Sequence, residues 1–468
     1  MNGGGQSLSQ AFPQRRHFLA ATICFALFAA YGSLVPWNIA PLSFDEAVLR
    51  FEDIPLFEIG IPSRTDWVAN VLLYVPIGFC AMATVVIDRP RAWRTLAGGV
   101  AIWIGCIALS IAIEFSQTWL PSRVPSQYDI QAQTVGAALG IALAWIAAAP
   151  IVRSLRAGTS SPRRATRLTW LLQLYVAGLL FYQLLPLDVT IHPREMWEKY
   201  KAGRIEIVPF SAQRFDAEFF LGVATDIALH IPLGAWCALG PLARGGRRGA
   251  WTRAILSAAA IVAICEVAQV FVYSRYASTS DVLIATIGAA IGASIALGAT
   301  KPTEPTPDRT EPASNHLFWT SVAVLALLYI AFLFGWYLRP FDVLSDPRRI
   351  DLRLRNFLCV PFSKLYWGTE FNAATQFLGK FIAFVPLGVL AAVAIRRWTT
   401  DSRSRRIATA SLLLLAALLG CAIELAQAFF PPHFPDVTDV LFYATGTMAG
   451  YFAGRYVLDG ATHETASN

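Results

Sequence analysis

The sequence predicts an all-α integral membrane protein of about twelve transmembrane helices, arranged as three parallel four-helix repeats. Three observations carry this expectation. The 468 residues are 55% hydrophobic and only 15% charged, with a mean hydropathy of +0.49, whereas soluble domains carry about a quarter charged residues. Apolar runs of about 20 residues, long enough to cross a hydrocarbon layer of about 30 Å as a helix, recur along the whole chain. The pattern Glu-x2-Gln-x11-Asp-x6-Gly-x3-Gly occurs three times at one spacing, and such self-similarity marks a repeat architecture.

The first repeat, 17–148, opens with a span near 17–36 behind Arg15 and Arg16. No small-residue cleavage site follows, so it reads as a retained anchor. It ends in Pro36-x-Asn38, and a long polar loop containing Ile54-Pro55-Leu56 follows. The second span, near 66–88, holds Pro76 and Gly78, with Asn70 six residues before the proline. The third, near 95–119, carries Glu114 and Gln117. The fourth, near 128–148, opens with Asp129 and continues to Gly136 and Gly140, and Arg123 stands six residues before the aspartate.

The second repeat, 168–299, has spans near 168–187, 220–242, 252–273 and 280–299. Its landmarks are Pro186-x-Asp188, Val208-Pro209-Phe210, Asp226 before Pro232 and Gly234, then Glu266, Gln269, Arg275, Asp281, Gly288 and Gly292. The third, 317–456, has spans near 317–338, 374–396, 406–430 and 437–456. It reads Pro340-x-Asp342, Val360-Pro361-Phe362, Lys380 before Pro386 and Gly388, then Glu424, Gln427, His433 in the arginine's place, Asp439, Gly446 and Gly450. Four spans per unit make the copies parallel rather than inverted. The segments 150–167 and 300–316 read as cytoplasmic linkers without chemistry of their own.

Arginines crowd the short connections, as in Arg89, Arg91 and Arg94 or Arg396 through Arg406, while the long loops are mixed or acidic. By the positive-inside rule both termini are cytoplasmic. The net charge of +7 then reflects orientation, not nucleic-acid binding. On this topology every unusual polar group of a repeat meets at its extracytoplasmic end. The seven cysteines lie mostly in or beside spans, with no metal or disulfide spacing.

Ionisable groups in apolar stretches are expensive and point to a site. A separation of three puts each Glu and Gln on one helix face, and a Glu266–Arg275 bond fastening the third span to the next loop explains them structurally as well as ligand binding does. The aspartates, each at a helix start, suit capping. The Gly-xxx-Gly pairs serve close helix packing in lipid, and Pro-x-Gly predicts a kink that frees backbone carbonyls. No nucleophile elbow, phosphate loop or HExxH helix occurs, and the sequence offers no catalytic residues, metal site or cofactor.

These landmarks together resemble the VanZ-like family of bacterial membrane proteins, whose founding member is associated with low-level resistance to the glycopeptide teicoplanin. The resemblance implies four-span units and, position by position, falls on Asn70, Pro76, Gly78, Glu114, Gln117, Arg123, Asp129, Gly136 and Gly140 and on their counterparts. The second repeat departs at Asp226, and the third at Lys380 and His433. Fusion of three units suggests a trimer-like arrangement. The expected function is recognition of an envelope component (a polar headgroup, a lipid-linked sugar or a glycopeptide) by the Glu, Gln, basic and Asp clusters, in a bacterial inner membrane. A lipid-linked substrate transporter or flippase, an envelope-modifying enzyme, and a scaffold for envelope machinery remain the alternatives.

Overall fold

The computed structural model describes residues 12–54, 61–87, 92–161, 164–190, 192–211, 215–240, 249–299, 311–339, 341–358, 360–362, 370–399, 401–431 and 433–459. The first repeat contains α1 (Arg15–Leu34), α2 (Phe44–Glu52), α3 (Ile61–Val86), α4 (Ala92–Gln117) and α5 (Gln127–Ser160). The second contains α6 (Arg164–Leu184), α7 (Pro193–Lys201), α8 (Ala217–Leu239), α9 (Ala250–Val270) and α10 (Thr279–Ala299). The third contains α11 (Glu311–Tyr337), α12 (Pro347–Arg355), α13 (Glu370–Trp398), α14 (Ser402–Gln427) and α15 (Val437–Asp459). A two-residue parallel pairing joins β1 (Ile205–Glu206) to β2 (Ala277–Ser278) in the second repeat.

Among the described residues, ten of these helices are long and apolar enough to cross a membrane, and the protein is all-α and multi-pass. The long helices α6 and α15 are not among the ten. In α15 polar residues lower the hydropathy, and several of them, Thr438, Asp439, Tyr443, Thr447 and Tyr451, are buried against protein.

Two kinds of segment differ from expectation. The long polar loops each carry a nine-residue amphipathic helix, α2, α7 or α12. Local signals start them: Ser43 and Glu46 form a reciprocal capping box for α2, Asp346 accepts the backbone N–H of Arg348 with Pro347 in the first turn of α12, and α7 has Pro193 in its first turn without a side-chain cap. The linker 150–167 is also helical, as far as Ser160 because α5 continues through Pro150 and again from Arg164, where α6 begins.

The chain forms two compact units, one of residues 1–162 with 309–468 and one of residues 163–308. Within the first, the Tyr31 hydroxyl on α1 donates to the Pro361 carbonyl at 3.0 Å and its ring meets Phe362 edge-on. The Val-Pro-Phe loop of the third repeat thus rests on the first repeat.

In every repeat the second and fourth long helices pack most intimately: α3 with α5, α8 with α10, and α13 with α15. Glycine makes this possible. A Cβ on Gly292 would lie 1.9 Å from the Ile231 carbonyl oxygen, one on Gly450 2.0 Å from that of Val385, and one on Gly140 2.2 Å from that of Val75. The reciprocal Pro-x-Gly glycines, Gly78, Gly234 and Gly388, press on Ala137, Ala289 and Thr447 in the same way. Gly292→Val is therefore expected to destabilise the protein by about 1–3 kcal/mol or more. Gly298→Val, with nothing within 4 Å, should stay within about 0.5 kcal/mol of wild type. Thermal unfolding in detergent compares them, and equal losses would refute the packing role.

Candidate functional site

At one end of each four-helix repeat the first and third long helices finish while the second and fourth begin. A helix C-terminus presents orphan carbonyls and a helix N-terminus orphan N–H groups, so this end must find many partners. The repeated motif supplies them.

The first long helix of each repeat ends just before its proline, and the next residue has a left-handed backbone: Trp37 (φ 63), Leu187 (φ 61) and Phe341 (φ 68). Side chains from elsewhere in the repeat hold this corner. Gln117 Nε2 donates to the Ser33 carbonyl at 3.2 Å, Gln269 to Gln183 at 3.2 Å and Gln427 to Tyr337 at 3.1 Å. Arg123 donates to the carbonyls of Val35 and Gly32 at 2.8–3.0 Å, and Arg275 to those of Leu185 and Tyr182. In the third repeat His433 Nε2 donates to the Arg339 carbonyl; a carbonyl only accepts, so that nitrogen carries the hydrogen. A cation at this terminus also meets the negative end of the helix dipole.

The Pro-x-Asn/Asp motif completes the corner. Asn38 Oδ1 accepts from the Ser122 hydroxyl at 2.8 Å, and buried Asp188 accepts from the backbone and hydroxyl of Ser274. Both serines immediately precede the arginine.

The glutamates belong to the other helix end. Glu114 accepts the Ser126 N–H at 3.0 Å, Glu266 the Ser278 N–H at 3.0 Å and Glu424 the Asp436 N–H at 2.8 Å. The expected Glu266–Arg275 bond is thus replaced by two backbone anchorages. Ser126, Ser278 and Asp436 are themselves caps, accepting from Tyr128, Ser280 and Thr438. The capping role expected of Asp129, Asp281 and Asp439 falls three residues earlier. In an ordinary capping box the acid at this third helical position would reach back to the cap's N–H. Here a glutamate from the neighbouring helix already holds that N–H, which releases the aspartates for other contacts.

They turn to the second long helix, where the repeats diverge. Asn70 Nδ2 donates to Asp129 Oδ1 at 3.0 Å, Gln133 Nε2 donates to Asn70 Oδ1 at 2.9 Å, and the Ser110 hydroxyl to Gln133 Oε1 at 2.7 Å. In the third repeat Lys380 and Asp439 form a salt bridge. In the second, Asp226 and Asp281 interact as like charges, with Glu206 also near. The pair is therefore formally singly negative, doubly negative and neutral in the three repeats.

Sequence reading missed several contributors. Glu206 accepts from Ser278, Ser280 and Ser211; an acid three residues before the loop proline also occurs at Glu52. Ser280 and Thr438 accept the N–H groups of Phe210 and Phe362 at 2.8 Å, whose φ values of 59 and 68 are left-handed. His230, 4% exposed, faces the Asp226 carbonyl through Nδ1 at 2.7 Å and the Gln183 amide through Nε2 at 3.0 Å. Only a hydrogen on Nδ1 satisfies the carbonyl, so Nε2 is the acceptor.

Lys199 is the largest omission. It is 1% exposed and donates to the carbonyls of Gln269, Val270 and Val272, closing the C-terminus of α9. Arg353 donates to Ala428 at the corresponding place. A basic residue at the seventh position of α2, α7 and α12 (Arg50, Lys199, Arg353) was the available signal. Burial draws the Lys199 ammonium down to about 8. The folded state then binds fewer protons than the unfolded chain between about pH 8 and the ordinary lysine value, so stability should rise with pH across that window. Unfolding midpoints of wild type and Lys199→Met test this; an equal pH slope in both would refute it.

The described residues contain no group of three or more His, Cys, Asp or Glu suited to a metal ion, and their six cysteines are free thiols. The fold and its polar ends define a multi-pass helical membrane protein built from a repeated bundle. The profile of the VanZ/LLP1 family matches three times, over residues 11–148, 172–300 and 321–458, and the chain belongs to that family, with three tandem VanZ-like units. Neither a curated protein nor a solved structure matches it.

Proposed function

We propose that the protein recognises a polar part of a cell-envelope component, a headgroup or lipid-linked sugar, at the extracytoplasmic end of its repeats. In this reading all twelve long helices span the bacterial inner membrane as three parallel domains, 17–148, 168–299 and 317–456, with both termini cytoplasmic. Glycopeptide tolerance enters only through the family.

One observation carries the proposal. The Glu, Gln and basic side chains bond the same backbone positions in all three repeats, while the pair beside them changes from Asn70–Asp129 to Asp226–Asp281 to Lys380–Asp439. A constant frame around a pair of varying charge supports a recognition surface in which the frame shapes and the pair selects. Carboxylates and amides suit hydroxyl and amine groups of a ligand. The Glu, Gln, Arg123, Arg275 and His433 groups then act as positioning residues.

Mass spectrometry of lipids retained by mildly extracted protein tests this. Asp226→Asn, which copies the first repeat, is expected to lower the retained envelope component by about ten-fold or more at unchanged protein level. Identical lipid profiles would refute the reading. A transport function is favoured by the buried polar contacts between helices, Gln183–His230 in the second repeat and Ser110–Gln133–Asn70 in the first; flux in reconstituted vesicles decides it.

A further inference from the structure

At the opposite end of the third repeat, Arg396 of α13, Arg405 of α14 and Arg455 of α15 converge on a small recess that also includes Tyr451 and Asp459. Arg455 Nε pairs with Asp459 at 3.2 Å. Among the described residues, Arg396 Nη1 and Arg405 Nε are buried and have no hydrogen-bond partner. Leaving such donors unmet is unfavourable, and more so for charged groups.

The first repeat provides an internal control. Pro76, Glu114, Asp129 and Gly140 are spaced as Pro386, Glu424, Asp439 and Gly450 are, so positions correspond one to one. Arg396, Arg405 and Arg455 replace Val86, Thr95 and Trp145, while Ile395 and Tyr451 replace Val85 and Ile141. There the place is apolar: Val85, Val86 and Ile141 pack on the core of Met82, Ala144 and Ala148. The fold does not require three arginines here. Reading orientation from the arginine-rich connections explains a basic helix end, but not guanidinium nitrogens buried on two of its helices.

The geometry points to a binding site for a phosphate-bearing anion between α13, α14 and α15, with Arg396 and Arg405 as its donors. Guanidinium groups match phosphate oxygens with paired N–H bonds, and three arginines against one aspartate leave the recess positive. A basic pocket between helices at this membrane face suits an anionic lipid headgroup, and a free phosphate offers the same chemistry. The site is separate from the recognition end of the repeats and does not depend on that reading.

Thermal-unfolding titrations of the full chain in neutral detergent test the proposal, with phosphatidylglycerol in mixed micelles as one probe and inorganic phosphate as the other. At least one is expected to raise the midpoint saturably, while phosphatidylcholine does not. The double variant Arg396→Val/Arg405→Thr carries the residues already accommodated in the first repeat. It should unfold at the same or a higher temperature without ligand, and bind the active probe at least about ten-fold more weakly. The charge-matched control Arg403→Gln/Arg406→Gln removes two exposed arginines of α14 and should shift affinity by less than about three-fold. If the double variant does not fold, Arg396→Lys, which keeps the charge but loses the planar donor pair, must still weaken binding beyond the control. A response to lipid alone puts the phosphate on a headgroup, and a response to inorganic phosphate extends the site to the free anion; either upholds it. No response to either probe, or equal weakening in the control, overturns it.

Discussion

Lys380→Met is expected to destabilise the third repeat by about 3–5 kcal/mol, the loss typical of removing one partner from a buried ion pair. The Lys380 and Asp439 side chains are 20% and 8% exposed, so little water replaces the ammonium. The other repeats show what the position tolerates. Asn70 holds Asp129 by one hydrogen bond at 3.0 Å, so Lys380→Asn keeps a donor and should lose roughly half as much or less. The double variant Lys380→Met/Asp439→Asn removes both charges and should recover most of the loss, because the penalty lies in the stranded charge. Unfolding in detergent measures all three. If the methionine and asparagine variants lose equally, the pairing at this position is not what stabilises the repeat.

The second large effect is expected at Glu424→Leu. Glu424 is fully buried and accepts two hydrogen bonds, from the Asp436 N–H at 2.8 Å and the Tyr443 hydroxyl at 2.9 Å. Leucine strands both donors in a dry interior at about 1–3 kcal/mol each, a total of about 2–6 kcal/mol. Glu424→Gln keeps one acceptor oxygen, so about half the loss should return. Among the described residues Glu266 accepts the Ser278 N–H alone, and Glu266→Leu should be the milder change. A Glu424→Leu protein as stable as wild type would show that the glutamate does not fasten α14 to α15.

Two kinds of recurring polarity occur within this one chain. The Glu, the Gln and the basic residue of each motif satisfy backbone groups at helix ends, where the chemistry required is the same in every copy. Asn70, Asp226 and Lys380 stand instead beside the aspartate side chain of the fourth helix, and there alternatives can be exchanged without dismantling a helix terminus. Functional differences between the repeats are therefore to be sought at the exchanged positions.

Much of this was legible in the linear chain. Apolar runs defined the long helices because nothing else satisfies backbone groups in lipid. Gly136, Gly140 and their counterparts announced close packing, and a Cβ at any of the six would lie only 1.9–2.3 Å from a carbonyl oxygen of the neighbouring helix. The common spacing of Glu114, Gln117 and Asp129 with their copies announced a shared purpose. What the spacing could not disclose was direction. Glu266 and Arg275 are near in sequence and opposite in charge, yet each turns to backbone groups of a different helix terminus. Lys199 resembled any loop lysine until α7 folded it under the end of α9. Such choices depend on where orphan carbonyls and N–H groups come to lie, and only the packed helices settle that.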